Sequence, residues 1–159
     1  TIDNDLAATD HCPGYGSAAK YIATTCMEIY RDAKVYDTGS ITVLEIMGRN
    51  AGWLAAASAL ATYKGTGPDL VYLPEVPFDL DAFIEDVARI YEKNGDVLVA
   101  VSEGIRDKDG KFISAYPGDY IRVSDYLPHC IRHSFQHSIP AGMSPPIVDG
   151  LKKIQVTQR

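Results

Sequence analysis

The chain carries Thr1-Ile2-Asp3-Asn4-Asp5, with two carboxylates one residue apart. On a loop that follows a buried strand, such a pair suits a site that accepts a proton and manages a metal-bound phosphate. In isolation, Asp-Asn-Asp is also what a surface turn carries, because short polar side chains bond to their own backbone. A second candidate is the Gly-Arg pair in Met47-Gly48-Arg49-Asn50-Ala51-Gly52-Trp53. Glycine lets the backbone approach a ligand closely, and arginine offers a planar cation to phosphate or carboxylate. The simpler alternative is a turn glycine beside a surface arginine. The third candidate is Glu103-Gly104, an acid and a glycine that close the apolar run Val97-Leu98-Val99-Ala100-Val101-Ser102.

These groups need elements to deliver them. The strand-like run Ile41–Ile46 leads into Met47, Gly48 and Arg49, and the run from Val97, too short for most helices, reads as a buried parallel strand ending in Glu103. Between Ser17 and Tyr36, apolar residues recur at helical spacing, and Ser17 is the expected N-cap after a Pro13-Gly14 turn. A small-residue helix is expected over 51–63, stopped by Gly65-Thr66-Gly67-Pro68, and a short strand over 69–73. Asp79 or Asp81 opens a further helix with the stripe Phe83, Val87, Ile90 and Tyr91, and Gly95 stops it. This alternation predicts an α/β fold, a Rossmann-like three-layer sandwich in which right-handed crossovers build a mostly parallel sheet covered on both faces. Ligands bind such sheets beyond the carboxyl ends of the strands, where Asp3, Arg49 and Glu103 all fall.

Together these residues resemble the phosphofructokinase family. The resemblance runs in order through Thr1 to Leu6, Thr9-Asp10, Gly14 to Ala19, Glu45 to Leu54, Leu73 to Phe78 and Glu103-Gly104, and covers roughly the part from Thr1 to Phe112. It implies a magnesium-dependent transferase of glycolysis, a kinase that moves a phosphoryl group from pyrophosphate or ATP to the 1-hydroxyl of fructose 6-phosphate. It also implies roles. Asp3 takes the proton of the hydroxyl, Thr1 and Ile2 line the sugar or the transferred phosphate, and Asp5 supports the metal. Met47 and Gly48 line the sugar, Arg49 stabilises the moving phosphoryl group, and Glu103 accepts hydrogen bonds from sugar hydroxyls. With no Met ahead of Thr1, the chain is expected to be a piece of a larger enzyme with an incomplete phosphofructokinase fold, not active alone. The family assembles as dimers or tetramers, so the complete enzyme is expected to be a homo-oligomer.

The choice of donor rests on softer features, since the family's Gly-Gly-Asp-Gly loop and the residue before the Thr-Ile-Asp motif would lie upstream. The segments Thr9 to Ala19 and Asn50 to Trp53 look more like the pyrophosphate or mixed-donor branch. Ser40 points the same way, because it stands where ATP-using bacterial members tend to carry an arginine that reaches the sugar 6-phosphate across a subunit interface.

Composition agrees. The 159 residues are 46% hydrophobic, enough for an ordinary core, and the formal charge of -6 with no basic stripe argues against a nucleic-acid partner. No apolar run approaches the roughly 18 residues of a membrane span. Cys12, Cys26 and Cys130 are unpatterned and read as reduced thiols of a cytoplasmic protein.

The chain therefore divides into an α/β segment, 1–113, and a divergent, truncated or poorly ordered tail, 114–159. Five of the 15 Lys and Arg but only three of the 21 Asp and Glu lie in the tail, which lacks a Gly-His-x-Gln-Arg type of segment for gripping the 6-phosphate. His129, His133 and His137 recur there at four-residue spacing beside Cys130, a possible zinc or nickel face if helical. Pro128 and Pro140 bracket that run and no acidic partner orients the rings, which favours a solvated stretch. The alternatives to an enzyme are a non-catalytic sugar-phosphate binder and a histidine-rich metal-binding module. Gly14-Tyr15-Gly16-Ser17 lacks the third glycine of a dinucleotide fingerprint, and Asp107-Lys108-Asp109-Gly110-Lys111 reads as a hairpin or surface turn rather than a calcium loop.

Overall fold

The computed structural model describes residues 2–35 and 39–113 together with the backbone of 151–155. A 3-10 turn, Ile2–Asn4, precedes helix α1 (Tyr15–Ala33), strand β1 (Ser40–Ile46) and helix α2 (Trp53–Ala57), which continues as a 3-10 helix over Ser58–Lys64. Then come β2 (Leu70–Tyr72), α3 (Leu80–Asn94), β3 (Asp96–Ser102) and β4 (Leu151–Gln155). The sheet order is β2-β3-β1-β4, with β1, β2 and β3 parallel and β4 antiparallel to β1.

Alternation along β1 and β3 divides the core in two. Ile41, Val43, Val97, Val99 and Val101 pack with Phe83 and Val87 of α3 on one face. Leu44, Ile46, Leu98 and Ala100 pack with Ile22 and Cys26 of α1 and with Leu54 and Ala55 of α2 on the other. Full burial of such side chains stabilises by roughly 1.5–3 kcal/mol each, which explains why β1 and β3 read as near-continuous apolar runs. The three layers are those expected. The connections β1 to β2 and β2 to β3 run in opposite directions and carry their helices on opposite faces, as a single crossover hand requires.

Two helices begin or end elsewhere than their sequence suggests. α1 starts at Tyr15, not Ser17: Gly14 turns the chain at φ 87°, and the Tyr15 and Ala18 amides donate to the Cys12 and Gly14 carbonyls at 3.1 and 3.0 Å. A backbone acceptor thus satisfies the first donor of the helix, Ala18 makes its first regular bond, and no side-chain cap is used. The helix ends at Ala33 rather than Tyr36. There the Lys34 ammonium meets the Asp96 carboxylate at 2.6 Å, a hydrogen bond that raises the lysine above its ordinary pKa and ties the helix end to the start of β3. The helix expected over 51–63 tightens to 3-10 geometry after Ala57, where Ser58 and Thr62 hydroxyls each donate 2.6 Å bonds to carbonyls three residues back.

α3 follows its sequence signals. Asp79 caps it by accepting the Asp81 and Ala82 amides at 3.1 and 3.3 Å, and Gly95 closes it at φ 79°. Tyr72 stacks edge-on against Phe78 and Phe83 at 5.3 and 5.4 Å, fastening α3 to the β2 edge. Burial lifts the Tyr72 phenol to about 12. β4 comes from the stretch in which the sequence shows no clear alternation of strands and helices. Among the described residues, no helix is long and apolar enough to cross a membrane.

Candidate active site at the carboxyl edge of the sheet

Parallel pairing sets Ile46 opposite Ser102, so the loops after β1 and β3 leave the sheet side by side. The Glu103 amide donates to the Ile46 carbonyl at 2.9 Å, extending the ladder one residue beyond the strands. Beyond that point the two loops interlock. The Gly48 amide donates to Glu103 Oε1 at 3.3 Å, the buried Ser102 hydroxyl donates to the Gly48 carbonyl, and the Gly104 amide donates to Ser102 Oγ at 3.3 Å. Two glycines make this possible. Gly48 sits at φ 148°, which disfavours any side chain, and a Cβ on Gly104 would lie 2.2 Å from the Arg49 carbonyl oxygen.

The Asp3 loop joins from the other side. The Asn50 amide donates to the Asp3 carbonyl at 3.2 Å, and Ile2 packs against the cluster formed by α1, α2 and the sheet. Asp3 is half-buried, and its carboxylate makes no hydrogen bond or ion pair among the described residues. Asp5 follows in left-handed conformation at φ 49° and is exposed. Met47 is 47% exposed and Arg49 is exposed, so both present their side chains outward from the sheet edge. Thr1 lies outside the described residues, as do His129, Cys130, His133 and His137. Among the described residues, no group of three His, Cys, Asp or Glu side chains could hold a metal ion.

Several contributors carry no role in the sequence reading. Glu75, after β2, accepts the Gly52 amide at 2.7 Å and so supplies the acceptor that α2 lacks at its own N-cap. Its signal is faint, an acid after the Leu73-Pro74 strand end. Ser102 is the one hydroxyl closing an otherwise apolar strand. The segment 106–112 is the expected hairpin, closed by an antiparallel bridge between Arg106 and Phe112. Phe112 brings its ring under two cations, with Arg49 Cζ 5.1 Å and Arg106 Cζ 4.3 Å from the centroid. The Ser40 hydroxyl donates to the Ala33 carbonyl at 3.4 Å and helps seat α1 on β1.

Asp3, Gly48, Arg49 and Glu103 thus meet at one sheet edge. An unpaired carboxylate, an outward guanidinium and a carboxylate with one oxygen engaged can accept a proton, neutralise an anion and take hydroxyl hydrogen bonds respectively.

Known proteins resemble this chain in sequence and fold. A family model described as phosphofructokinase matches residues 1–154, past the Phe112 at which the recognisable motifs stop. A pyrophosphate–fructose 6-phosphate 1-phosphotransferase of Xanthomonas campestris pv. campestris is 50% identical over 120 residues, 72% of this chain and 28% of that protein. One of the same name from Methylococcus capsulatus is 42% identical over 156 residues, 96% of this chain and 34% of that protein. The crystal structure of a pyrophosphate-dependent phosphofructokinase from Nitrosospira multiformis superimposes with a TM-score of 0.61 at 44% identity, over 70% of this chain and 29% of that one. The chain therefore spans roughly a third or less of the length of these relatives. With its fold, its interlocked loops and a match across 1–154, the chain belongs to the phosphofructokinase family.

Proposed function

We propose that the protein carrying this segment transfers a phosphoryl group from pyrophosphate to the 1-hydroxyl of fructose 6-phosphate, and that this segment supplies the acceptor-side loops. The observation that carries the reading is the convergence of Asp3, Gly48, Arg49 and Glu103 at one sheet edge, in a chain 50% identical to a protein of that activity.

Phosphoryl transfer asks mainly for positioning, charge neutralisation and a base. Asp3 is the base: its carboxylate is unpaired among the described residues, and its backbone is tied to the Arg49-Asn50 loop. Arg49 neutralises the moving phosphoryl group. The free oxygen of Glu103 accepts sugar hydroxyls while its partner oxygen orders Gly48. Met47 and Gly48 form the adjoining wall, and Thr1 and Ile2 flank Asp3.

Magnesium usually keeps several waters and binds through one or two carboxylates plus substrate phosphates, so the exposed Asp5 carboxylate fits it without a second protein ligand. When bound, it supplies charge neutralisation at the phosphates. The rest of the reading is a cytoplasmic homo-oligomer.

The deciding experiment is a steady-state assay of the protein carrying this segment with fructose 6-phosphate and, in parallel, pyrophosphate and ATP. Turnover with pyrophosphate at least tenfold above ATP, on the order of one unit of log kcat/KM, supports the donor reading. The reverse ratio assigns ATP, and sugar-phosphate binding without turnover on either donor assigns a non-catalytic binder.

A further inference from the structure

We propose that the hairpin from Arg106 to Phe112 is the positioning element of Arg49. The Phe112 ring is the surface against which the guanidinium rests, and Arg106 is the brace that holds ring and loop together. The proposal rests on the role given to Arg49 above.

Arg49 is exposed and makes no ion pair among the described residues, yet an arginine left to its many rotamers would spread its charge over a wide volume. Among the described residues its guanidinium has a ring partner in Phe112, 5.1 Å from Cζ to centroid and within cation–π range. Phe112 is itself half-buried and fixed on two sides. Its backbone bridges Arg106, and the next amide, of Ile113, donates to the Ile105 carbonyl at 3.1 Å.

Arg106 lies over the same ring at 4.3 Å and donates from Nη2 to Asn50 Oδ1 at 3.4 Å. Asn50 is also the residue whose amide holds the Asp3 carbonyl. One guanidinium therefore touches the ring that seats Arg49 and the residue that seats Asp3. Arg106 Nε is buried with no acceptor among the described residues. An unpaired buried N–H is destabilising, so this arginine is held by contacts other than that donor, the ring and Asn50 among them. The hairpin is stiff enough for the task. Asp107 Oδ1 accepts the Asp109 and Lys111 amides, both at 2.9 Å, the Phe78 amide donates to the Arg106 carbonyl at 2.6 Å, and Lys108 pairs with Asp79 at 2.6 Å.

The test uses Phe112→Leu and Phe112→Tyr in the protein carrying this segment, with two readouts. Nitrogen-15 relaxation at Nε of Arg49, assigned through Arg49→Lys, measures positioning without activity. Its order parameter is expected to fall below about 0.6 in the leucine variant and to recover in the tyrosine variant. Turnover is expected to drop about three- to thirtyfold in Phe112→Leu with the sugar-phosphate KM nearly unchanged, and to return with tyrosine. In an Arg49→Lys background, Phe112→Leu should add little. An order parameter unchanged by leucine, or the same turnover loss with and without Arg49, overturns the proposal. If Phe112→Leu does not fold, fluorinated phenylalanines at 112 replace it: they keep the shape and weaken the negative face of the ring. A stepwise fall in the Arg49 order parameter with fluorine count supports the proposal, and a constant value overturns it. A wild-type protein without phosphoryl transfer sinks the functional reading alone, because the relaxation readout still decides the positioning.

Discussion

The Gly48 amide and the Glu103 carboxylate, 55 residues apart in the chain, are joined by a 3.3 Å hydrogen bond just past the ends of two adjacent parallel strands. The bond makes one side chain both a structural acceptor and a candidate ligand group. It also couples the shape of the loop that carries Arg49 to the loop that carries Glu103, so substitutions in either should be felt in the other.

Asp3→Ser removes the carboxylate while leaving the backbone bond to Asn50 in place. Turnover of the protein carrying this segment is expected to fall by about 10²- to 10⁴-fold, with the sugar-phosphate KM within a few fold. Steady-state kinetics read both, and a loss within about tenfold removes Asp3 from the role of base.

Gly104→Ala would set a methyl 2.2 Å from the Arg49 carbonyl oxygen and 2.7 Å from that of Gly48. Neither is the end of a flexible side chain, so the Arg49 loop must shift. The expected cost is about 1–3 kcal/mol in a denaturant titration, with a larger proportional loss in turnover than in fold stability.

Glu75→Ala takes away the acceptor of the Gly52 amide and leaves the start of α2 without a side-chain partner. A loss of about 0.5–1.5 kcal/mol is expected, and Glu75→Gln should restore most of it because it keeps an oxygen at the same reach. Equal losses in both variants would mean that the charge, rather than the hydrogen bond, is what the helix start requires.

Asp79 links the stability of α3 to pH. The hydrogen bond from Lys108, followed by the backbone bond from Ala82, holds its carboxyl below the ordinary 3.8. A lowered folded value means that the stabilisation is present above the unfolded pKa and is lost as pH falls through the lower, folded one. The melting-temperature gap between wild type and Asp79→Ala should therefore be wide at neutral pH and close below about pH 4. Both groups are exposed, so high salt should narrow the part contributed by Lys108 and spare the part contributed by the backbone caps.

Much of this molecule is local, and the local part is legible in its residues. The apolar runs of β1 and β3, the Asp79 cap, the Gly95 stop and the Asp107–Lys111 turn each depend on neighbours a few positions away, so periodicity and turn chemistry suffice to read them. The same holds for Arg49 and Glu103 sharing an edge, whereas Asp3 is brought to it by the Asn50 amide. Parallel strands joined by crossovers put every carboxyl end on one side, and that follows from the order of elements alone. The boundaries of α1 and α2 escaped because one turns on a contact between elements and the others on local backbone and hydroxyl bonds that leave no mark in the apolar periodicity. Lys34 meets Asp96 of β3 where α1 stops. At the other end, the helix opens behind a glycine turn whose backbone acceptors make a Ser17 cap unnecessary.

What only the tertiary structure decided is how the edge is held. Nothing in the spacing of Gly48, Ser102, Glu103 and Gly104 says that they will interlock, since those bonds depend on the register that sets Ile46 beside Ser102. Nor does the sequence pair Glu75 with Gly52, or seat Arg49 on Phe112. Residue types and order determine which groups reach the edge, because strand direction is a property of the chain path. Which of them touch is settled by packing, because hydrogen bonds and ring contacts act over a few ångströms and respond to the final position of every layer beneath them.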